Sequence, residues 1–143
     1  MKHILIPVDG SEYSTKAIEM GKQMAKAFDS DVTILNVVPL ELSPSVGRGN
    51  YMYVPILSDE IPESNAEVLD GAKKQFKGTG IKVKTVCKHG IVADEIVDYA
   101  YENEVDLVIM GSHGLGALKN RIMTGSVTTK VLHHIDKPVL VIK

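Results

Sequence analysis

Five short apolar runs limit what this chain can fold into: HILIPV (3–8), VTILNVV (32–38), IKVKTVC (81–87), VDLVIM (105–110) and PVLVI (138–142). Each is strand length, and the stretches between them carry apolar residues at helical spacing. Ala17, Met20, Gly21, Met24 and Phe28 share one face of a helix over 12–28. Leu69, Ala72 and Phe76 do the same in a helix from Pro62 to Phe76, and Ala93, Ile96, Val97 and Ala100 in one over 92–103. A last helix, 126–134, turns Val127 and Val131 inward, with Ile135 continuing the stripe, and Ser126 is placed to cap it. Strands alternating with helices predict an open parallel sheet covered by helices on both faces, joined by right-handed crossovers. IKVKTVC alternates apolar and charged residues, so it belongs at an edge with one wetter face. VDLVIM and PVLVI are apolar enough for burial.

At 143 residues, one domain over 1–143 is expected, with a core that needs no disulfide or metal staple. The segment 39–59 is the exception to the alternation: a long connection without a clear period, read as a lid, a partner contact or a plain loop. A net charge of -2, with no Lys/Arg run longer than a pair, gives no ground for a nucleic-acid partner. No apolar stretch approaches the roughly 18 residues of a membrane span. Cys87 is the single cysteine, which points to a reducing, cytoplasmic setting.

Open α/β sheets bind ligands beyond the carboxyl ends of their strands, where strand order reverses. The first strand ends in PVDGS (7–11) and the fourth in GSHGLG (111–116). If those strands are neighbours, Asp9 and Gly111 face one crevice. Glycines there admit close backbone approach to an anion, and Gly125-Ser126 opens a helix whose first amides favour negative charge. The run is neither a Walker P-loop nor a dinucleotide fingerprint, so the glycines alone leave phosphate cradle and flexible connection equally open.

Residues 4-ILIPVDGSEYSTKA-17, 106-DLVIMGSHG-114, 125-GSVTTKVL-132 and 138-PVLVIK-143 together resemble the universal stress protein family over essentially the whole chain. The resemblance implies a five-stranded parallel sheet of the Rossmann-like, adenine nucleotide alpha hydrolase-like kind. It also implies a homodimer paired through the last strand. By match to the family's ATP-binding branch, Pro7, Asp9 and Val37 lie at the adenine and its edge. Gly111, Gly114, Gly125 and Ser126 surround the ribose and phosphates, with Met110, His113 and Val127 nearby. The branch pattern is Gly, two residues, Gly, nine residues, Gly-Ser/Thr. Here ten residues separate Gly114 from Gly125.

The implied function is ATP binding, with Mg²⁺ or Mn²⁺ on the phosphates, as a switch in stress response. A nucleotide-independent dimeric adaptor and a slow ATPase are the alternatives. Asp9 serves equally well as a helix cap, and an exposed loop position is the commoner fate of a residue like His113. Lys119 and Arg121 are within sequence reach of a phosphate or simply solvated. The histidines show no metal-ligand spacing, and no nucleophile, base and acid combine, so hydrolysis is expected to be slow or absent.

Overall fold

The computed structural model describes residues 1–40, 59–114 and 125–143, with the backbone alone of 42–47 and 50–55. The elements in chain order are β1 (His3–Pro7), α1 (Glu12–Phe28), β2 (Asp31–Pro39), β3 (Leu42–Gly47), β4 (Asn50–Pro55), α2 (Glu63–Lys74), β5 (Val83–Gly90), α3 (Val92–Glu102), β6 (Leu107–Gly111), α4 (Ser126–His134) and β7 (Val139–Ile142). Five strands form one parallel sheet in the order β5-β2-β1-β6-β7. The chain therefore builds one way from β1 and then returns to build the other way, and the reversal sets β1 against β6, with Leu5 beside Val108.

Strand alternation sends successive side chains to opposite faces. Ile4, Ile6 and Ile109 go to the face covered by α1 and α2, where Ala17, Ile18, Leu69 and Phe76 meet them. Leu5, Val108 and Met110 go to the other face, under Ile96 and Ala100 of α3 and Val131 of α4. Central β6 and the Ile4–Ile6 stretch of β1 are apolar because both their faces are covered. Helix α1 lies especially close to the sheet: a Cβ on Gly21 would overlap Ile6 Cδ1. That helix is capped by Ser11, whose hydroxyl accepts from the Ser14 N–H, and it ends at Asp29 in the left-handed conformation (φ 53°).

Several elements differ from the expectation. Phe28 is 51% exposed; it is the last residue of α1, where the helix has run past the sheet that buries Gly21 and Ala25. Residues within 39–59 form an antiparallel hairpin, β3 with β4, in a small sheet of its own. PVLVI supplies an edge strand, and each residue of β7 is half-buried because nothing pairs with its outer side among the described residues. At the opposite edge β5 runs on to Gly90, beyond the Cys87 expected, because β2 pairs with it as far as Pro39. Cys87 is half-buried against the first core face, and burial pushes its thiol pKa up.

The amino end of the sheet is tied off locally. The Asp106 carboxylate accepts from the backbone N–H groups of Lys2 (2.7 Å) and His3 (2.9 Å). These bonds hold the Asp106 pKa below its ordinary value. The His3 ring bridges the Asn103 carbonyl (3.0 Å) and the Thr33 hydroxyl (2.8 Å). The carbonyl can only accept, so Nδ1 carries a proton.

Candidate functional site

At the carboxyl end, the chain leaving β1 turns toward α1 on one face, while the chain leaving β6 leads to α4 on the other. Between them opens a cleft of about 550 Å³, within the range of small-molecule sites. All ten residues singled out from the sequence line it: Pro7, Asp9, Val37, Met110, Gly111, His113, Gly114, Gly125, Ser126 and Val127. Lys119 and Arg121 lie outside the described residues.

Asp9 follows β1 and accepts from the Ser11 N–H through Oδ1 (2.9 Å). It thus braces the turn into α1, while Ser11 itself is the helix cap. Its other oxygen comes against Gly114, where a Cβ would sit 2.6 Å from Oδ2. Glycine at 114 is what lets the β6 loop pass this carboxylate.

Gly111 has a different reason to be glycine. A Cβ there would lie 2.5 Å from Tyr13 Cβ and 2.9 Å from the Tyr13 carbonyl carbon. This residue admits the first turn of α1, a packing role that the glycine pattern did not reveal.

His113 is only 9% exposed, against the expectation for a loop histidine. Its ring leans on Tyr13, with centroids 5.2 Å apart, and Nδ1 shares a hydrogen bond with Ser112 Oγ at 2.9 Å. Nε2 is buried with no hydrogen-bond partner among the described residues. A buried ring nitrogen without a partner is costly.

The start of α4 is the most ligand-ready part of the cleft. Its N-cap is Gly125, not Ser126, and no side chain among the described residues caps the helix. The Gly125 N–H donates to the Ser112 carbonyl (2.7 Å), and Thr128 Oγ1 donates to the Gly111 carbonyl (2.9 Å). These bonds lash the start of α4 to the end of β6. The amides of a helix's first turn have no partner within the helix, and the first-turn residues Ser126, Val127 and Thr128 line the cleft.

The remaining walls divide by polarity. Val92 and Ile96 of α3 join Val37, Met110 and Val127 as an apolar side. Asn36 of β2 and Asn65 of α2, joined by a hydrogen bond, contribute a polar side that no motif pointed to. The signal for Asn36 was available, as the one amide inside the apolar run VTILNVV. Among the described residues, no group of three or more His, Cys, Asp or Glu side chains converges on a metal position.

The family model described as the universal stress protein family matches residues 1–143. The chain belongs to the universal stress protein family. A curated relative, universal stress protein MJ0531 of Methanocaldococcus jannaschii, is 37% identical over 99% of this chain and 82% of its own length. Among solved structures, MJ0577 of the same organism superposes with a TM-score of 0.75 at 30% identity, covering 99% of this chain and 95% of the other. A universal stress protein from Archaeoglobus fulgidus, solved in complex with dAMP, has a TM-score of 0.71 at 22% identity over 100% and 98% of the two chains. The five-stranded Rossmann-like sheet is thus the fold of this universal stress protein and of its structural neighbours.

Proposed function

We propose that this universal stress protein binds ATP in the cleft between β1 and β6 and uses nucleotide occupancy as a state signal in stress response. The observation that carries the reading is the start of α4, without a side-chain cap among the described residues, which faces a half-apolar cleft beside Asp9. First-turn amides and the helix dipole suit a phosphate, and the apolar side formed by Val37, Val92, Ile96 and Met110 suits a base. Gly114, Gly125, Ser126 and Val127 would hold the phosphates, with His113 at their side. Pro7, Asp9 and Val37 would hold the adenosine, and Met110 and Gly111 would floor the cleft. The complex of the Archaeoglobus fulgidus relative with dAMP supports an adenine nucleotide as the ligand class.

Bound ATP would bring phosphate oxygens for Mg²⁺ or Mn²⁺. The described residues offer no carboxylate cluster for the ion, so the phosphates would be its principal ligands. Among the described residues no carboxylate and histidine of the cleft are joined as a pair that could activate water, so the function proposed is binding rather than turnover. A cytoplasmic setting is part of the proposal, supported by Cys87 being the single cysteine.

The two sheet edges support a homodimer. Around β5, Lys82 and Lys84 are exposed and Lys88 is half-exposed, the usual defence of an edge against strand addition. Strand β7 is Val-Leu-Val-Ile, uncharged and half-buried. An undefended apolar edge is suited to pairing with a second copy.

Thermal melts with and without ATP and Mg²⁺ test the binding. At 100 times Kd the folded state gains about 2.7 kcal/mol, a rise of roughly 10 °C for a chain of this size. No shift at millimolar ATP would favour the adaptor reading. Phosphate release proportional to protein, and absent in Gly125→Val, would establish an ATPase.

A further inference from the structure

The polar wall of the cleft is an amide relay whose direction is set by the backbone. A carbonyl only accepts, so the Asn36 atom 2.8 Å from the Val8 oxygen is Nδ2. Asn36 Oδ1 then accepts from Asn65 Nδ2 at 2.7 Å. Turning either amide over would set oxygen against oxygen. Asn36 is 3% exposed, between buried Leu35 and Val37, and an amide is kept in such a place only if it is hydrogen-bonded. Its two bonds hold Val8 and orient Asn65.

The relay ends at Asn65 Oδ1, on the first turn of α2 at the cleft wall. Its one neighbour among the described residues is Ser64 Oγ at 3.5 Å, too long for a good O–H···O bond. On the β1 side of β2, the Leu35 carbonyl accepts from the Val8 N–H (2.8 Å). Backbone groups alternate direction along a strand. Those of Val37 therefore turn the same way, past the last rung of β1 and toward the cleft. A base meeting this wall finds one N–H and one C=O from Val37, and a second acceptor from Asn65. Adenine is complementary to such a set, since it presents two amine hydrogens beside a ring-nitrogen acceptor. Hypoxanthine would bring a carbonyl oxygen toward the acceptors instead.

We propose that Asn65, oriented through Asn36 by the Val8 carbonyl, is a specificity-determining residue that accepts from the exocyclic amine of a bound adenine nucleotide and excludes the oxopurine. The proposal rests on the nucleotide reading above.

Isothermal titration of the wild-type protein and of Asn65→Ala, each with ATP and with inosine triphosphate, tests it. The wild type is expected to prefer ATP. Asn65→Ala should weaken ATP by about 3- to 10-fold, the equivalent of one neutral hydrogen bond, and leave inosine triphosphate unchanged or tighter. The ATP preference then falls by the same factor. Equal weakening of both nucleotides, or no change in either, would overturn the assignment and leave Asn65 a structural residue. Failure of the wild type to bind either nucleotide would overturn the nucleotide reading first, and this inference with it. Circular dichroism melts of the variant without ligand separate a loss of contact from a loss of fold.

Discussion

Gly111→Ala separates packing from ligand binding at the centre of the glycine-rich run. The added Cβ would stand 2.5 Å from Tyr13 Cβ and 2.9 Å from the Tyr13 carbonyl carbon, whereas carbon atoms in contact rest about 3.5–4.0 Å apart. One partner must therefore retreat by about 1 Å. Neither is free to do so: Gly111 closes β6, which pairs on both sides, and Tyr13 sits in the first turn of a helix fixed by Ser11 and Asp9. Overpacking of this kind costs about 1–3 kcal/mol, or roughly 3–12 °C in melting temperature for a chain of this size. Calorimetry on the ligand-free protein measures it. Gly114→Ala is the control, because among the described residues its Cβ would meet only the far end of Asp9, at 2.6 Å. The contact is with a side-chain oxygen and not with backbone, so it is relieved by a small rotation of the Asp9 carboxylate about its bond to Ser11. The ligand-free protein should therefore lose less than Gly111→Ala does, about 1 kcal/mol. If Gly111→Ala melts like wild type without ligand yet loses its response to ATP, the packing argument is wrong and Gly111 serves the ligand.

Gly71→Ala should stabilise the protein by about 0.5–1 kcal/mol, because Gly71 is inside α2 with nothing among the described residues within 4 Å of the new methyl; a lower melting temperature would contradict this. Val141→Lys puts a charge on the undefended β7 edge and should shift sedimentation from dimer to monomer, with an unchanged mass arguing against pairing there. Asp106 has its pKa lowered by the Lys2 and His3 amides, so its stabilising effect is complete above the unfolded-state pKa, about 3.9. That effect is lost as pH falls through the lower folded value. Asp106→Asn should therefore be less stable than wild type near neutrality, and the gap should close below about pH 4 in acid melts. A gap that persists or widens there would refute the sign.

Much of this arrangement was legible in the residues, for reasons that also explain what was not. Each strand of the main sheet carries its own apolar run, so the alternation is a local signal, and reversal at β1 brings Asp9 and Gly111 into one crevice. The hairpin was hidden because Pro44, Gly47 and Pro55 sit inside or at the ends of its strands, where they read as breakers. Burial of His113 depends on Tyr13, a hundred residues earlier on α1, and no local pattern records that contact. Gly125 displaces Ser126 as the cap because its amide is already committed to Ser112. Asn65 belongs to no motif; it matters only through the orientation that Asn36 passes to it.

The hydrogen bond from Gly125 to Ser112 has one more consequence. It fastens together the two ends of the span that is one residue longer than the family pattern. A closed span grows in entropic cost only with the logarithm of its length, so ten residues instead of nine adds about 0.1 kcal/mol. The length of the sequence between Gly114 and Gly125 is thereby uncoupled from the position of the first amides of α4. Insertions can be tried there by evolution or by an engineer while the anion-facing end of the helix stays where it is.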